Sequence, residues 1–335
     1  MGNTGTKGFL KGLNAKDIGS KYTTYIIFIV LFTGLGILTG FDSWRLPSLQ
    51  NLVIAEAIRA FAALGVGIII ITRGFDLSIG YAVCLTASVA ASLSQSVSYS
   101  AAMYPGIDFP VFLPILVAVL IGMLVGATNG VLVAYAKLPP FIATLGVLSL
   151  CRGIQLIYTK ATVVGSVKNE YKAIAQGFVG PFPLLMIYVA IAALIVWIIL
   201  RHTRLGANLY AIGGNPQAAR VAGINVERGL LFAYTFAGAL YGVAGALQTA
   251  RLGLANSLTA VGMELDAIAA VTIGGVSQSG GVGTMGGMIC GVLIMGIITY
   301  GMNFLAVNSY YQYLVKGCII ILAVFFDMRK HARKS

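Results

Sequence analysis

The sequence predicts an all-α, polytopic helical membrane protein with about ten transmembrane helices and both termini in the cytoplasm. Of its 335 residues 58% are hydrophobic and only 10% are charged, against roughly 25% charged in an average soluble domain. So few charges cannot cover a surface that faces water on every side. The apolar residues fall into long runs, and the positive charges fall between them in clusters. Composition also excludes a collagen-like chain, a disordered chain and a disulfide scaffold, since the 42 glycines have no triplet period and there are four cysteines.

A span needs about 20 apolar residues. Runs of that kind lie near 22–40, 52–72, 77–96, 111–136, 141–159, 184–200, 230–250, 264–277, 284–305 and 310–326. Residues 22–326 are therefore the transmembrane domain, between an N-terminal segment 1–21 and a tail 327–335. The net charge of +12 concentrates in three places. Residues 1–21 carry Lys7, Lys11, Lys16 and Lys21 against Asp17; residues 201–229 carry Arg201, Arg204, Arg220 and Arg228 against Glu227; the tail carries Arg329, Lys330, Arg333 and Lys334 against Asp327. Basic clusters beside apolar runs mark the cytoplasmic side. Six runs between the first two clusters and four between the last two satisfy the required parity. The charge thus fits a lipid bilayer and not a nucleic-acid partner. The weak points are the short run 264–277 and the loop 160–183, which this topology places outside. The Lys-rich start and the first run act as an uncleaved anchor. Cys84, Cys151, Cys290 and Cys318 lie inside apolar runs without a short pairing, as buried reduced residues and not metal ligands.

Glycines spaced four apart, as at Gly122 and Gly126 or Gly287 and Gly291, let helices approach closely in lipid. Two stretches go further. Arg73-Gly-Phe-Asp-Leu-Ser-Ile-Gly80 is a polar interruption, and Gly274-Gly-Val-Ser-Gln-Ser-Gly-Gly-Val-Gly283 is too glycine-rich for a helix. Such breaks either lie at the interface as turns or line a protein-walled pathway as broken helices. Gly74, Ser78 and Gly80, with Asp76 among them at an unmatched position, pair with Gly275, Ser279 and Gly281 in a shared Gly-apolar-x-x-Ser-x-Gly pattern at an offset of 201. A second match pairs Gly130 with Gly301 and Gly146 with Gly317 at an offset of 171, so a duplication would need an insertion or loss.

Charges inside the spans are Glu56, Arg59, Arg152, Glu264, Asp266 and Lys316, a balanced set that reads as local ion pairs. Glu56 and Arg59 share one helix face. A proton or ion relay calls for an unbalanced acid or a deep histidine, and His202 and His331 both fall in cytoplasmic segments. In the long loop 201–229, Asn215 followed by Pro216 starts a short helix, and Gly223-Ile-Asn225 stops it. Its small Ala218, Ala219 and Ala222 suit either a structural turn or a helix lying in a partner's groove.

Gln217-Ala-Ala219 followed by Gly223 resembles the coupling loop of bacterial ABC-importer permeases, with Gln in place of the usual Glu. Arg73-Gly-Phe-Asp76-Leu-Ser78-Ile-Gly80, Pro139-Pro-Phe-Ile-Ala-Thr-Leu-Gly146, Ala211-Ile-Gly-Gly-Asn215-Pro-Gln-Ala-Ala219 and Glu264-Leu-Asp-Ala-Ile-Ala-Ala270 extend the resemblance to the ribose-type branch of sugar permeases. Within that branch, the segment around 213–226 and Val307-Asn-Ser-Tyr-Tyr-Gln-Tyr-Leu-Val-Lys316 look most similar to the galactose/methyl-galactoside permeases. The resemblance implies a type II ABC-importer-like fold and a prokaryotic inner-membrane subunit. It implies a second permease copy, a cytoplasmic ATPase that uses ATP and Mg, an extracytoplasmic sugar-binding protein and a monosaccharide substrate. The relatives of that branch also handle ribose, xylose and nucleosides. No phosphate-binding loop is present, so the chain holds no cofactor of its own and is not the ATPase. Receptor docking is expected at loops 97–110 and 252–263. Asn129, Gln155, Tyr300 and Asn303 are the candidate sugar contacts inside spans.

Overall fold

The computed structural model describes residues 15–332. Lys7 and Lys11 of the basic start, and Arg333 and Lys334 of the tail, lie outside the described residues. Thirteen α-helices are described, in the order α1 (Ala15–Leu38), α2 (Leu46–Ile71), α3 (Ile79–Leu93), α4 (Phe112–Ala134), α5 (Pro140–Thr159), α6 (Asn169–Gln176), α7 (Leu184–His202), α8 (Arg204–Gly214), α9 (Pro216–Val221), α10 (Val226–Leu252), α11 (Met263–Ile273), α12 (Met285–Phe304) and α13 (Ser309–Ala332). A small antiparallel hairpin, β1 (Phe178–Val179) with β2 (Phe182–Pro183), stands before α7. Seven of these helices are long and apolar enough to cross a membrane, namely α2, α4, α5, α7, α10, α12 and α13 over Ser309–Arg329; the apolar parts of α1 and α3 are shorter.

Hydrogen bonds and ion pairs sort the helix termini into two ends. At one end, here the loop end because it carries α8 and α9, the Gly281 amide donates to the Ile71 carbonyl at 2.9 Å, Lys137 pairs with Glu227 at 2.7 Å, and the Gln278 amide donates to Asp327 at 2.9 Å. At the far end, Ser96 meets Ser166 at 2.8 Å, Val164 meets Ala255 at 2.9 Å, and Gln176 donates to the Arg251 carbonyl at 3.0 Å. The helices between these ends run alternately up and down.

α2 and α10, buried along much of their lengths, form the centre. α4 crosses α10 where glycines of both helices meet: a Cβ on Gly126 would stand 2.2 Å from the Tyr234 carbonyl, and one on Gly238 2.2 Å from that of Gly122. A Cβ built on Gly291 would stand 1.8 Å from the Ala270 carbonyl of α11. The spacing expected from the sequence therefore brings backbones together in the way that packing in lipid requires. α7 lies at the periphery, with cavities of about 430 Å³ and 260 Å³ on its two flanks.

Several expectations are corrected. The run 264–277 forms only the 11-residue α11, about 16 Å long, and cannot cross by itself. The loop 160–183 contains α6 and the hairpin. The segment 252–263 is not a free outer loop: it runs from the far end back along α3, with Ala255 buried, the Asn256 carbonyl 3.3 Å from Cys84 Sγ, and the Ala260 carbonyl 2.7 Å from a Cβ built on Gly80. Cys318 is exposed, unlike Cys84, Cys151 and Cys290.

The duplication is present in element order, but the register of the two glycine-rich breaks is wrong. α2, α3, α4 and α5 have 26, 15, 23 and 20 residues, and α10 to α13 have 27, 11, 20 and 24. In each set a long helix gives way to an extended stretch that turns inward before a short helix. α2 runs from the far end to the loop end, whereas α10 runs the other way, so the halves are inverted. In this alignment 72–78 corresponds to 253–262, and 274–284 is the turn between α11 and α12. The offset of 171 agrees with pairing α4 with α12 and α5 with α13; the offset of 201 does not.

Candidate coupling site and helix breaks

The segment 203–225 builds a helix pair at the loop end. Thr203 caps α8 by accepting from the Gly206 amide at 3.1 Å. Asn215 then caps α9: its Oδ1 accepts from the amides of Gln217 and Ala218, both at 3.0 Å, while Pro216 occupies the first helical position, where no donor is needed. Gly223, at φ +80°, ends α9. The Ile224 amide donates to the Ala219 carbonyl at 3.0 Å and the Gly223 amide to that of Arg220 at 2.9 Å, the paired bonds of a left-handed C-cap. Asn225 caps α10 through the Arg228 amide at 2.9 Å. Ala219 faces inward against Ile212 and Val226. Ala218, Ala222 and Val221, the last 92% exposed, face outward with Gln217. α9 thus presents a small, mostly apolar face flanked by Arg220, which pairs with Glu227 at 2.5 Å.

α8 fixes this helix to the end of α2 and to the glycine-rich turn 274–283. A Cβ on Gly213 would lie 1.8 Å from the Ile71 carbonyl and 2.6 Å from the Gly281 amide. Gly280, at φ +79°, is as close to the Gly213 carbonyl, and Tyr210 donates its hydroxyl to the Gly283 carbonyl at 2.8 Å. The end of α2, the α11–α12 turn and α8 therefore meet backbone to backbone. Gly275 and Gly281 have positive φ in that turn, and the Ser279 amide donates to Ser277 Oγ at 3.2 Å. Gly213 was not legible as a contact in the sequence, because its role depends on partners 142 and 68 residues away.

The break 72–78 returns from the loop end into the bundle. Its backbone groups from Phe75 on, which lack helical partners, are met by side chains of α10 and α5 and by Asp76 within the break, and α4 adds a side-chain bond to Ser78. The Tyr234 hydroxyl donates to the Phe75 carbonyl at 3.0 Å and accepts from the Phe75 amide at 3.3 Å, and Thr144 Oγ1 accepts from the Leu77 amide at 3.2 Å. Asp76 Oδ1 accepts from Ser78 at both its amide, 2.8 Å, and its hydroxyl, 2.7 Å, and Asn129 donates to Ser78 Oγ at 2.8 Å. Asp76, Ser78 and Asn129 are fully buried or nearly so. The Tyr241 hydroxyl faces the Asp76 carboxyl, and Asn129 Oδ1 has no hydrogen-bond partner among the described residues. Irregular backbone at membrane depth is tolerated when walled by protein in this way. Gly74 and Gly80 leave room for Tyr234 and Glu264.

Of the four candidate sugar contacts, only Asn129 reaches the break. Gln155 ties α5 to α3 through Ser88 at 3.2 Å. Tyr300 packs with the small cluster around Leu35 and Leu52, and Asn303 accepts from Gln312 at 2.8 Å near the far end. The charges within spans are not separate local pairs either. Arg59 pairs with Glu56 and reaches Asp266 at 3.4 Å, and Lys316 reaches the same Asp266 oxygen at 3.0 Å, so one network links α2, α11 and α13. Arg152 stands outside it, its guanidinium 5.6 Å from the centroid of the Tyr81 ring.

A bundle of crossing helices with two inward-turning breaks, joined to an exposed helix at one end, defines a membrane permease. Residues 48–324 match the family described as "Branched-chain amino acid transport system / permease component", and the chain belongs to it. It is 42% identical over 319 residues to the galactose/methyl galactoside import permease protein MglC of Haemophilus influenzae, covering 92% of this chain and 95% of that one. To MglC of Escherichia coli K12 it is 41% identical over 340 residues, 97% of this chain and all of the relative. To the ribose import permease protein RbsC of Bacillus subtilis it is 38% identical over 309 residues, covering 90% and 92%. No solved structure matches. The chain is thus a multi-pass membrane transport subunit.

Proposed function

We propose that this chain is the inner-membrane permease of an ATP-driven importer of galactose or methyl galactoside. The observation that carries the substrate is the identity of 41–42% to MglC proteins along nearly the whole chain; ribose is the second reading, on the similarity to RbsC. The loop end is cytoplasmic, because the exposed Arg201, Arg204, Arg220 and Arg228 lie there. Ten crossings follow when α1, α3 and α11 are counted with the seven longer helices, the last two together with their extended partners.

Two copies form the pathway, a cytoplasmic ATPase docks on α9, and a sugar-binding protein docks at the far end around 97–110. When the ATPase closes, α9 moves with it and carries α8. Because α8 packs against the end of α2 through Gly213 and is bonded to the α11–α12 turn through Tyr210, the displacement reaches both halves together, shifting the bundle between two arrangements. Proteoliposomes holding the permease, its ATPase and a galactose-loaded binding protein should accumulate galactose only with ATP on the cytoplasmic side. Uptake sustained by an ion gradient without ATP would overturn this reading in favour of a secondary transporter.

A further inference from the structure

Of the six charges inside the spans the ion network leaves out two, Glu264 and Arg152, and Arg152 is the positive one. It lies on α5, thirteenth of 20 residues, inside a helix apolar enough to span a membrane. Its side chain is exposed, and no carboxylate among the described residues pairs with it. Side chains on a helix tilt toward its N-terminus, which for α5 is the loop end, so the guanidinium leans away from the nearer interface. It rests instead on Tyr81, the third residue of α3 and the neighbour of Gly80 at the end of the break. Arg152 stands at the edge of the exposed side of α5, and that side is open. A Cβ built on Gly146 or Gly153 meets nothing within 4 Å, and Ser149 and Leu150 between them are exposed.

A lone arginine facing hydrocarbon at this depth is strongly disfavoured, whereas one lining a water-filled cavity is not. We propose that this face of α5 lines the aqueous pathway, and that Arg152 and Tyr81 contact the passing sugar. The guanidinium offers a planar set of donors to adjacent hydroxyl groups. The half-exposed tyrosine offers an aromatic face to the C–H side of a hexose ring. The inference rests on the sugar-permease reading for its ligand, but the exposure of α5 to water can be tested without it.

Two measurements decide it. In proteoliposomes with ATPase and galactose-loaded binding protein, Arg152→Gln should lower uptake of radiolabelled galactose at least tenfold, with ATPase activity stimulated by the binding protein staying within twofold of the unaltered chain. Arg152→Lys, which keeps the charge but not the fork, should fall between. In membrane vesicles carrying the full chain with Cys318→Ser, Gly153→Cys and Gly146→Cys should react with a charged thiosulfonate at least tenfold faster than Leu194→Cys on the exposed side of α7. Uptake by Arg152→Gln equal to the unaltered chain overturns the sugar contact. Gly153→Cys as unreactive as Leu194→Cys overturns the pathway, and it does so even where Arg152→Gln fails to insert. Failure of the unaltered chain to import galactose, with Gly153→Cys still reactive, sinks the galactose reading and leaves the water-lined face standing.

Discussion

Gly213 and Gly214 are adjacent, yet a methyl group has very different consequences at each. At Gly213 it would stand 1.8 Å from the Ile71 carbonyl, a backbone atom that cannot rotate away; at Gly214 it meets nothing within 4 Å. Gly213→Ala should therefore destabilise the chain by about 1–3 kcal/mol, the usual range for overpacking, and reduce ATP-driven uptake; Gly214→Ala should leave both near the starting level. Thermal unfolding in detergent and uptake in proteoliposomes measure the two effects. Asn129→Ala should cost about 1–3 kcal/mol by removing a donor from buried Ser78, again read from thermal unfolding. At this scale the sequence was legible where chemistry is local: Asn215, Pro216, Gly223 and Asn225 cap or stop their helices through bonds to neighbours within five residues. It was silent on Gly213, Tyr234 and Tyr241, whose partners are distant in the chain.

Helix α9 has six residues, too few to persist by propensity alone, so its caps and its docking of Ala219 hold it. Asn215→Ala removes two capping bonds and should cost about 1 kcal/mol locally. Because α9 is exposed, the overall melting temperature should move little, while binding-protein-stimulated ATPase activity falls; an unchanged coupled activity would argue against α9 as the contact. α11 is different. Its first turn is held to α2 and α13 through Asp266, which serves both Arg59 and Lys316. Asp266→Ala leaves Lys316 without its carboxylate and Arg59 with Glu56 alone, and should cost more than Lys316→Ala. In the double variant Asp266→Ala/Lys316→Ala the two costs should not add, and a thermodynamic cycle on unfolding measures the difference. The apolar runs revealed most helices, but not the shortness of α11, because run length reports burial and lipid contact alike and does not show where the backbone leaves the helix.

Across the whole molecule, the proposed sidedness places Val221 and Ile107 on opposite faces of the membrane. Val221→Cys and Ile107→Cys, each in a Cys318→Ser background, should react with an impermeant thiol reagent from the cytoplasmic and the external side respectively; both reacting from one side would refute the topology. The two halves were only partly visible in the sequence. Gly130 and Gly301, each at a helix contact, kept the offset between α4 and α12, and Gly146 and Gly317, each facing open space, kept it between α5 and α13, while the breaks diverged in length, seven residues in 72–78 against ten in 253–262, so their motifs no longer align. A misleading match at 274–283 filled the gap because glycine also serves a turn there.

The peripheral helix α7 has a role that its sparse packing conceals. In the proposed topology four crossings, α2 to α5, return the chain to the end from which they began, so a second set attached directly to α5 would enter the membrane in the same sense as the first. α7 contributes one further crossing, and that odd count is what turns α10 to α13 upside down. Removing or doubling this one helix would leave every other sequence motif intact yet reverse the direction from which 253–262 enters the bundle. Its value lies in arithmetic, which explains how a helix with voids on both flanks can be indispensable to the architecture.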